Sequence, residues 1–138
     1  MTDEATGATD VAEATGVADV VGVWRLVSFH TLDEHGTVTP GPLGDDPVGL
    51  LFYTPDGHVA VHMTSAAGPP PYLSYAGTWH REGDRVVHHL TVAAEREWIG
   101  TDQIRRLELD GDLLTLTGTS LSTQDRRVLV WQRLAPSG

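Results

Sequence analysis

The side chains able to do chemistry in this chain include seven histidines and three tyrosines, and cysteine is absent. His88-His89 and the His58-x-x-x-His62 spacing invite a metal reading. On an extended strand, neighbouring residues point to opposite faces, and His58 and His62 lie on the order of 13 Å apart at about 3.3 Å per residue. Neither pair chelates by itself, and a three-histidine site needs His30, His88 and a third ring brought together by the fold. No metal and no other cofactor is expected. Without cysteine there is neither a thiolate nor a disulfide framework. Ser65, Ser74, Ser120 and Ser122 sit outside any Gly-x-Ser-x-Gly elbow, so a serine nucleophile has no support. No glycine-rich phosphate loop points to a nucleotide. What remains is Tyr53, Tyr75, His88, Gln103 and Arg105, a set suited to polarising a carbonyl, clamping an enolate or relaying a proton within apolar surroundings.

These groups must be carried by strands. From Gly22 onward, short runs rich in Val, Leu, Thr, Trp and Tyr alternate with turn signals, and helical periodicity is hard to find. Thr54-Pro55-Asp56-Gly57, Glu82-Gly83-Asp84 and Asp110-Gly111-Asp112 each place Gly or Asp where a hairpin needs unusual φ. Strands are expected near 22–32, 48–54, 58–64, 74–81, 85–93, 101–109, 112–118 and 127–134, with a short one near 37–39. The architecture is an all-β, single antiparallel up-and-down barrel of about eight or nine strands, because closure removes exposed edges and leaves room for one small ligand. Segments 39–47 and 66–72 are expected at a barrel end, as rims or a lid.

Hairpin geometry assigns the faces. A turn at Pro55-Asp56-Gly57 pairs Phe52 with Ala60 and Leu50 with His62, so Leu51, Tyr53, Val59, Val61 and Met63 form the apolar inner face. His58 and His62 then read as surface. A two-residue turn at Gly83-Asp84 puts Tyr75, Gly77, Trp79, Val86, His88, Leu90 and Val92 on the pocket side, with Thr78, His80, Arg85 and His89 outside. A turn at Asp110-Gly111 sets Leu107 opposite Leu114 and Arg105 opposite Leu116. Arg105 thereby points into an apolar face and needs a carboxylate, a carbonyl cluster or an anionic ligand. On the first strand Trp24, Leu26, Ser28 and His30 share a face, with Ser28 and His30 climbing toward the open end. In the last strand Leu129, Trp131 and Arg133 share a face.

The formal charge is −10, from 19 acidic and 9 basic residues, which repels phosphate backbones and anionic membrane surfaces. Nucleic acid and membrane are therefore not expected partners, and no apolar run approaches the ~20 residues of a membrane span. A length of 138 residues suits one domain. Residues 1–19 read as a disordered acidic leader lacking the basic and apolar regions of a secretory signal, ahead of a barrel domain over 20–135, and a cytoplasmic location is expected. A homodimer is left open.

Gly22-Val23-Trp24 at the start of the first strand and Arg133 in the last resemble the Gly-x-Trp and closing-Arg arrangement of lipocalins. A longer likeness runs through Trp24-Arg25-Leu26-Val27-Ser28-Phe29, the block from Gly49 to Gly57, Tyr75-Ala76-Gly77, His88-His89, Trp98-Ile99-Gly100-Thr101, Gln103-Ile104-Arg105-Arg106 and Val130-Trp131. It is similar to the bacterial and fungal lipocalin-like domain family of stand-alone barrels and covers nearly everything after residue 20. The resemblance implies a calycin-type barrel with an internal pocket for a hydrophobic small molecule. It also implies a place among natural-product gene clusters, where related barrels include cofactor-free cyclases. The expected catalytic set is Tyr53 as hydrogen-bond donor, Arg105 as carbonyl or enolate clamp and His88 as proton shuttle. The substrate wall is expected from Ser28, His30, Leu51, Val61, Met63, Tyr75, Trp79, Leu90, Trp98, Gln103, Leu107 and Leu116. Two activities fit: a cyclase or isomerase, including a pericyclic cycloaddition, acting on a polyketide-like intermediate, or a carrier that binds a lipophilic ligand without turnover. A barrel filled by its own side chains is the third alternative.

Overall fold

The structure, a computed structural model, describes residues 19–66, 72–119 and 125–135. All but Asp19 of the leader expected over 1–19, and most of the 66–72 segment, lie outside these residues. Nine strands run in chain order: β1 (Gly22–Leu32), β2 (Val38–Pro40), β3 (Pro47–Tyr53), β4 (His58–Ser65), β5 (Leu73–Glu82), β6 (Arg85–Ala93), β7 (Asp102–Asp110), β8 (Leu113–Thr119) and β9 (Arg126–Arg133). Each of β3 to β8 pairs antiparallel with the next, and β1 joins β3 on one side and β9 on the other. Eight strands therefore close into a barrel. The ninth, β2, continues alongside the second half of β1. Among the described residues no helix is long and apolar enough to cross a membrane.

Alternation fixes the interior. In the β3–β4 hairpin Phe52 pairs with Ala60 and Leu50 with His62, as the turn chemistry dictates. Leu51, Tyr53, Val59, Val61 and Met63 are buried on the opposite face, while His58 and His62 are exposed. Gly57 takes φ +92 at the end of this turn, a conformation that side chains with a Cβ rarely adopt. The other two tight turns have one design: Glu82 pairs with Arg85 around Gly83-Asp84, and Asp110 with Leu113 around Gly111-Asp112. Gly83 and Gly111 open them at φ +63 and +61.

Four local expectations need correction. The third tight turn is Gly111-Asp112, not Asp110-Gly111, so Leu107 pairs with Leu116 and Leu109 with Leu114. This two-residue shift preserves the faces, since side chains alternate with period two. In β1 a bulge between Leu26 and Ser28 accommodates one extra residue as the strand passes from β3 to β2 while staying paired with β9. Beyond it the faces exchange: Phe29 is buried and His30 exposed. A second bulge, between Ala76 and Gly77 in the pairing with β6, sets Tyr75 opposite Ala93 and leaves Val92 on the outside. Gly77 marks the cause, because a Cβ there would collide with the backbone carbonyl of His89. The 39–47 segment is not a free rim either, since Leu43 is buried in the core alongside Phe29.

The two ends of the barrel differ. One end carries the three tight turns and is stoppered by Trp24, whose indole Nε1–H donates to the Val20 carbonyl at 3.0 Å. The Arg133 guanidinium lies 4.3 Å from the Trp24 ring centroid. It donates to the carbonyls of Val21 and Asp19 and lies 3.4 Å from the Asp112 carboxylate. Among the described residues the opposite end receives longer connections, including the 3-10 turn Arg96–Trp98 between β6 and β7.

Candidate functional site

A cavity opens on the side of the longer connections. It encloses about 500 Å³ counting its mouth, of which about 50 Å³ admits the centre of a water molecule. Leu51, Val61, Met63, Leu73, Leu116, Leu129, Trp98 and Trp131 give it apolar walls, and Tyr75, His88, Gln103, Arg105 and Arg127 supply polar groups. Each wall residue arrives by strand alternation: Leu51 from β3, Val61 and Met63 from β4, Leu73 and Tyr75 from β5. Trp98 comes from the 3-10 turn at the mouth.

At the floor, a buried imidazole is held between two phenols. The Tyr53 hydroxyl lies 2.6 Å from His88 Nε2, and the Tyr75 hydroxyl lies 2.6 Å from His88 Nδ1. Burial, with Arg105 adding to it, drives the His88 pKa down to about 3, so the ring is neutral at pH 7. A neutral imidazole has one N–H and one lone pair, so one phenol donates to it and the other accepts from it. Tyr53 is fully enclosed and has no other partner for its hydroxyl among the described residues. Were it the acceptor, its own O–H would be buried without a partner. Tyr53 therefore donates to Nε2 and Nδ1–H donates to Tyr75, which frees the Tyr75 O–H to face the cavity. Burial raises both phenols, Tyr53 well above its ordinary value and Tyr75 to about 12. Both are proton donors at neutral pH, not phenolates.

Arg105 stands beside this chain. Its Nη2 donates to Gln103 Oε1 at 2.9 Å and its Nη1 to the carbonyl of Ile104 at 3.1 Å. Among the described residues no carboxylate pairs with it. Burial lowers its pKa and the Arg127 charge adds to that, yet a guanidinium stays protonated near neutrality. The exposed His58, His80 and His89 instead pair with Asp56, Glu82 and Asp102 on the outer face. Among the described residues no group of three His, Asp or Glu is placed to hold a metal ion.

Of the residues singled out in the sequence, Leu51, Val61, Met63, Tyr75, His88, Trp98, Gln103, Arg105 and Leu116 line this cavity. Ser28 and His30 do not, because the β1 bulge turns them away. Trp79 is drawn instead toward the tight-turn end, its ring centroid 4.5 Å from that of Tyr53 and its Nε1–H donating to the Thr54 carbonyl. Leu107 belongs to the packed core, and Leu90 is buried where Thr101 and Gly100 of the connection bond its backbone. Tyr53 reaches the cavity only through His88. Leu73, Arg127, Leu129 and Trp131 complete the lining. Arg127 was within reach of the alternation that groups Leu129, Trp131 and Arg133, one step of two residues further back.

An up-and-down antiparallel barrel, stoppered at one end by a Trp–Arg pair and hollow at the other, defines a calycin-type small-molecule-binding barrel. The family model of the lipocalin-like domain matches residues 21–71 and 66–134, and the chain belongs to that family. No curated protein matches the chain. Among solved structures it is similar to a redesigned beta barrel, at 16% identity and a TM-score of 0.49, over 89% of this chain and 96% of that one.

Proposed function

We propose that this lipocalin-like barrel is a cofactor-independent cyclase or isomerase acting on a hydrophobic, carbonyl-bearing intermediate of the polyketide kind. The supporting observation is the hydrogen-bonded chain Tyr53–His88–Tyr75, whose last ring stands in the wall of a largely apolar cavity that the Arg105 guanidinium also lines. Leu51, Val61, Met63 and Trp131 restrict a flexible substrate to a reactive fold, lowering the entropy lost on reaching the transition state. In a cycloaddition two carbon–carbon σ bonds form at the expense of two π bonds, and no atom is lost or gained. Electron density shifts toward the activating carbonyl as the bonds form. Tyr75 O–H and Arg105 stabilise that oxygen, between apolar walls that limit the water around it.

The neutral state of His88 supports relay through hydrogen bonds over uptake of a full proton, since an imidazole with a pKa of about 3 is a poor base. The same observation favours the second reading, a carrier that binds without turnover. Incubation of the full chain with linear polyene carbonyl substrates separates the two. The cyclase reading expects a rate or product ratio distinct from buffer; stoichiometric recovery of unchanged ligand from the protein would establish the carrier in its place.

A further inference from the structure

The cavity's arginines bear on what its ligand must carry, and this inference rests on the reading of the cavity as a small-molecule site. All nine basic residues of the chain are arginine, against 19 acidic ones. Two of the nine line this one cavity. Their placement follows from register: Arg106 pairs with Thr117 across β7 and β8, and Gly118 pairs with Arg127 across β8 and β9. Arg105 and Arg127 thus flank Gly118 on the inner surface. Gly118 is buried, and a Cβ there would meet Cδ and Cζ of Arg105 at 2.6 and 2.7 Å. The absent side chain is what lets the guanidinium lie across β8.

Neither arginine has a carboxylate partner among the described residues, although the chain is strongly acidic. Two like charges facing one cavity repel each other, and guanidinium N–H groups left there without an acceptor are costly. A neutral carbonyl relieves little of this. An anion with several acceptor lone pairs relieves both.

We propose that the ligand is an amphipathic carboxylic acid, its ionised carboxylate held by Arg105 and Arg127, and its apolar body packed against Leu51, Val61 and Met63. A carboxylate matches the planar fork of a guanidinium and is small enough for the enclosed space.

Fluorescence titration and calorimetry of the full chain with dodecanoate, methyl dodecanoate and dodecyl phosphate test this. The acid binds tighter than the ester by about ten- to a hundredfold, the factor expected of a charge-assisted hydrogen bond. R105Q and R127Q each remove about tenfold of acid affinity and weaken ester binding by less, and G118A lowers acid affinity by displacing Arg105. Equal binding of acid and ester overturns the carboxylate and leaves the small-molecule cavity standing. Tighter binding of the phosphate overturns the carboxylate in favour of a different anion. If none of the three binds, the small-molecule reading of the cavity falls with it.

Discussion

Arg133 and Arg105 are two inward-facing arginines of one barrel in opposite electrostatic situations. Arg133 sits at the stoppered end with the Trp24 ring beneath it, two backbone carbonyls at its nitrogens and Asp112 within 3.4 Å. Arg105 sits in the hollow end with one side-chain amide, one neighbouring carbonyl and a second guanidinium nearby. The first is satisfied by the protein, the second only in part. A charge whose partners are all internal is a structural clamp, whereas a desolvated charge left with spare donors is built to meet something else.

Substitutions at the two ends should therefore separate stability from binding. The largest expected effect on folding is from R133L, which strips the Trp24 ring of its cation and leaves the Val21 and Asp19 carbonyls without their donor. A loss of about 3 kcal/mol in urea unfolding follows from the hydrogen bonds and the cation–π contact together. A loss below that of R105L would break the contrast.

The next effect is a pH dependence set by the hollow end. With the His88 pKa about 3 when folded and 6.5 in its ordinary state, both states are neutral above pH 6.5 and stability is fully present there. As pH falls below 6.5 the unfolded chain takes up a proton that the folded chain refuses, so stability drops by up to about 1.4 kcal/mol per pH unit toward pH 3. Unfolding curves between pH 7 and 5 in the wild type and in H88Q isolate this slope, which the variant should lack. A slope unchanged in H88Q would mean that other groups produce it.

Y75F has a smaller expected cost, about 1–2 kcal/mol, because His88 Nδ1–H then loses its acceptor while the aromatic packing survives. Turnover, if the barrel is a catalyst, should fall by about 10²-fold with the loss of the donor at the cavity wall. R105L should be the smallest of the series, changing stability by less than about 1 kcal/mol or raising it, since a partly satisfied, half-buried charge is exchanged for an apolar side chain. Destabilisation of R105L as deep as that of R133L would show that both arginines are clamps.

The residues reveal different parts of the molecule unequally. The β3–β4 hairpin can be read directly, because Pro55-Asp56-Gly57 fixes the turn and strict alternation then places Leu51, Tyr53, Val61 and Met63 inside. Bulges are another matter. The extra residue in β1 leaves no mark in the alternation around Val27, so Ser28 and His30 look inward on paper and do not face the cavity in the fold. The bulge in β6 hides Val92 in the same way, although Gly77 opposite it was a signal that two backbones approach closely. The slip at Gly111 did no harm, since two residues restore the same face. Trp79 shows a further limit: alternation gives the side of the sheet but not the depth, and a ring that size reaches the packed end instead of the hollow one.

The unequal ends have a consequence for how this barrel can be changed. All three two- or three-residue turns and the Trp24–Arg133 plug lie at one pole, whereas the β6–β7 connection brings Trp98 to the mouth at the other. Changing the β6–β7 connection that carries Trp98 alters the mouth without touching the elements that hold the cylinder shut. The scaffold is in this sense modular: selection, natural or in a library, can explore new guests at one pole while the other keeps the host folded.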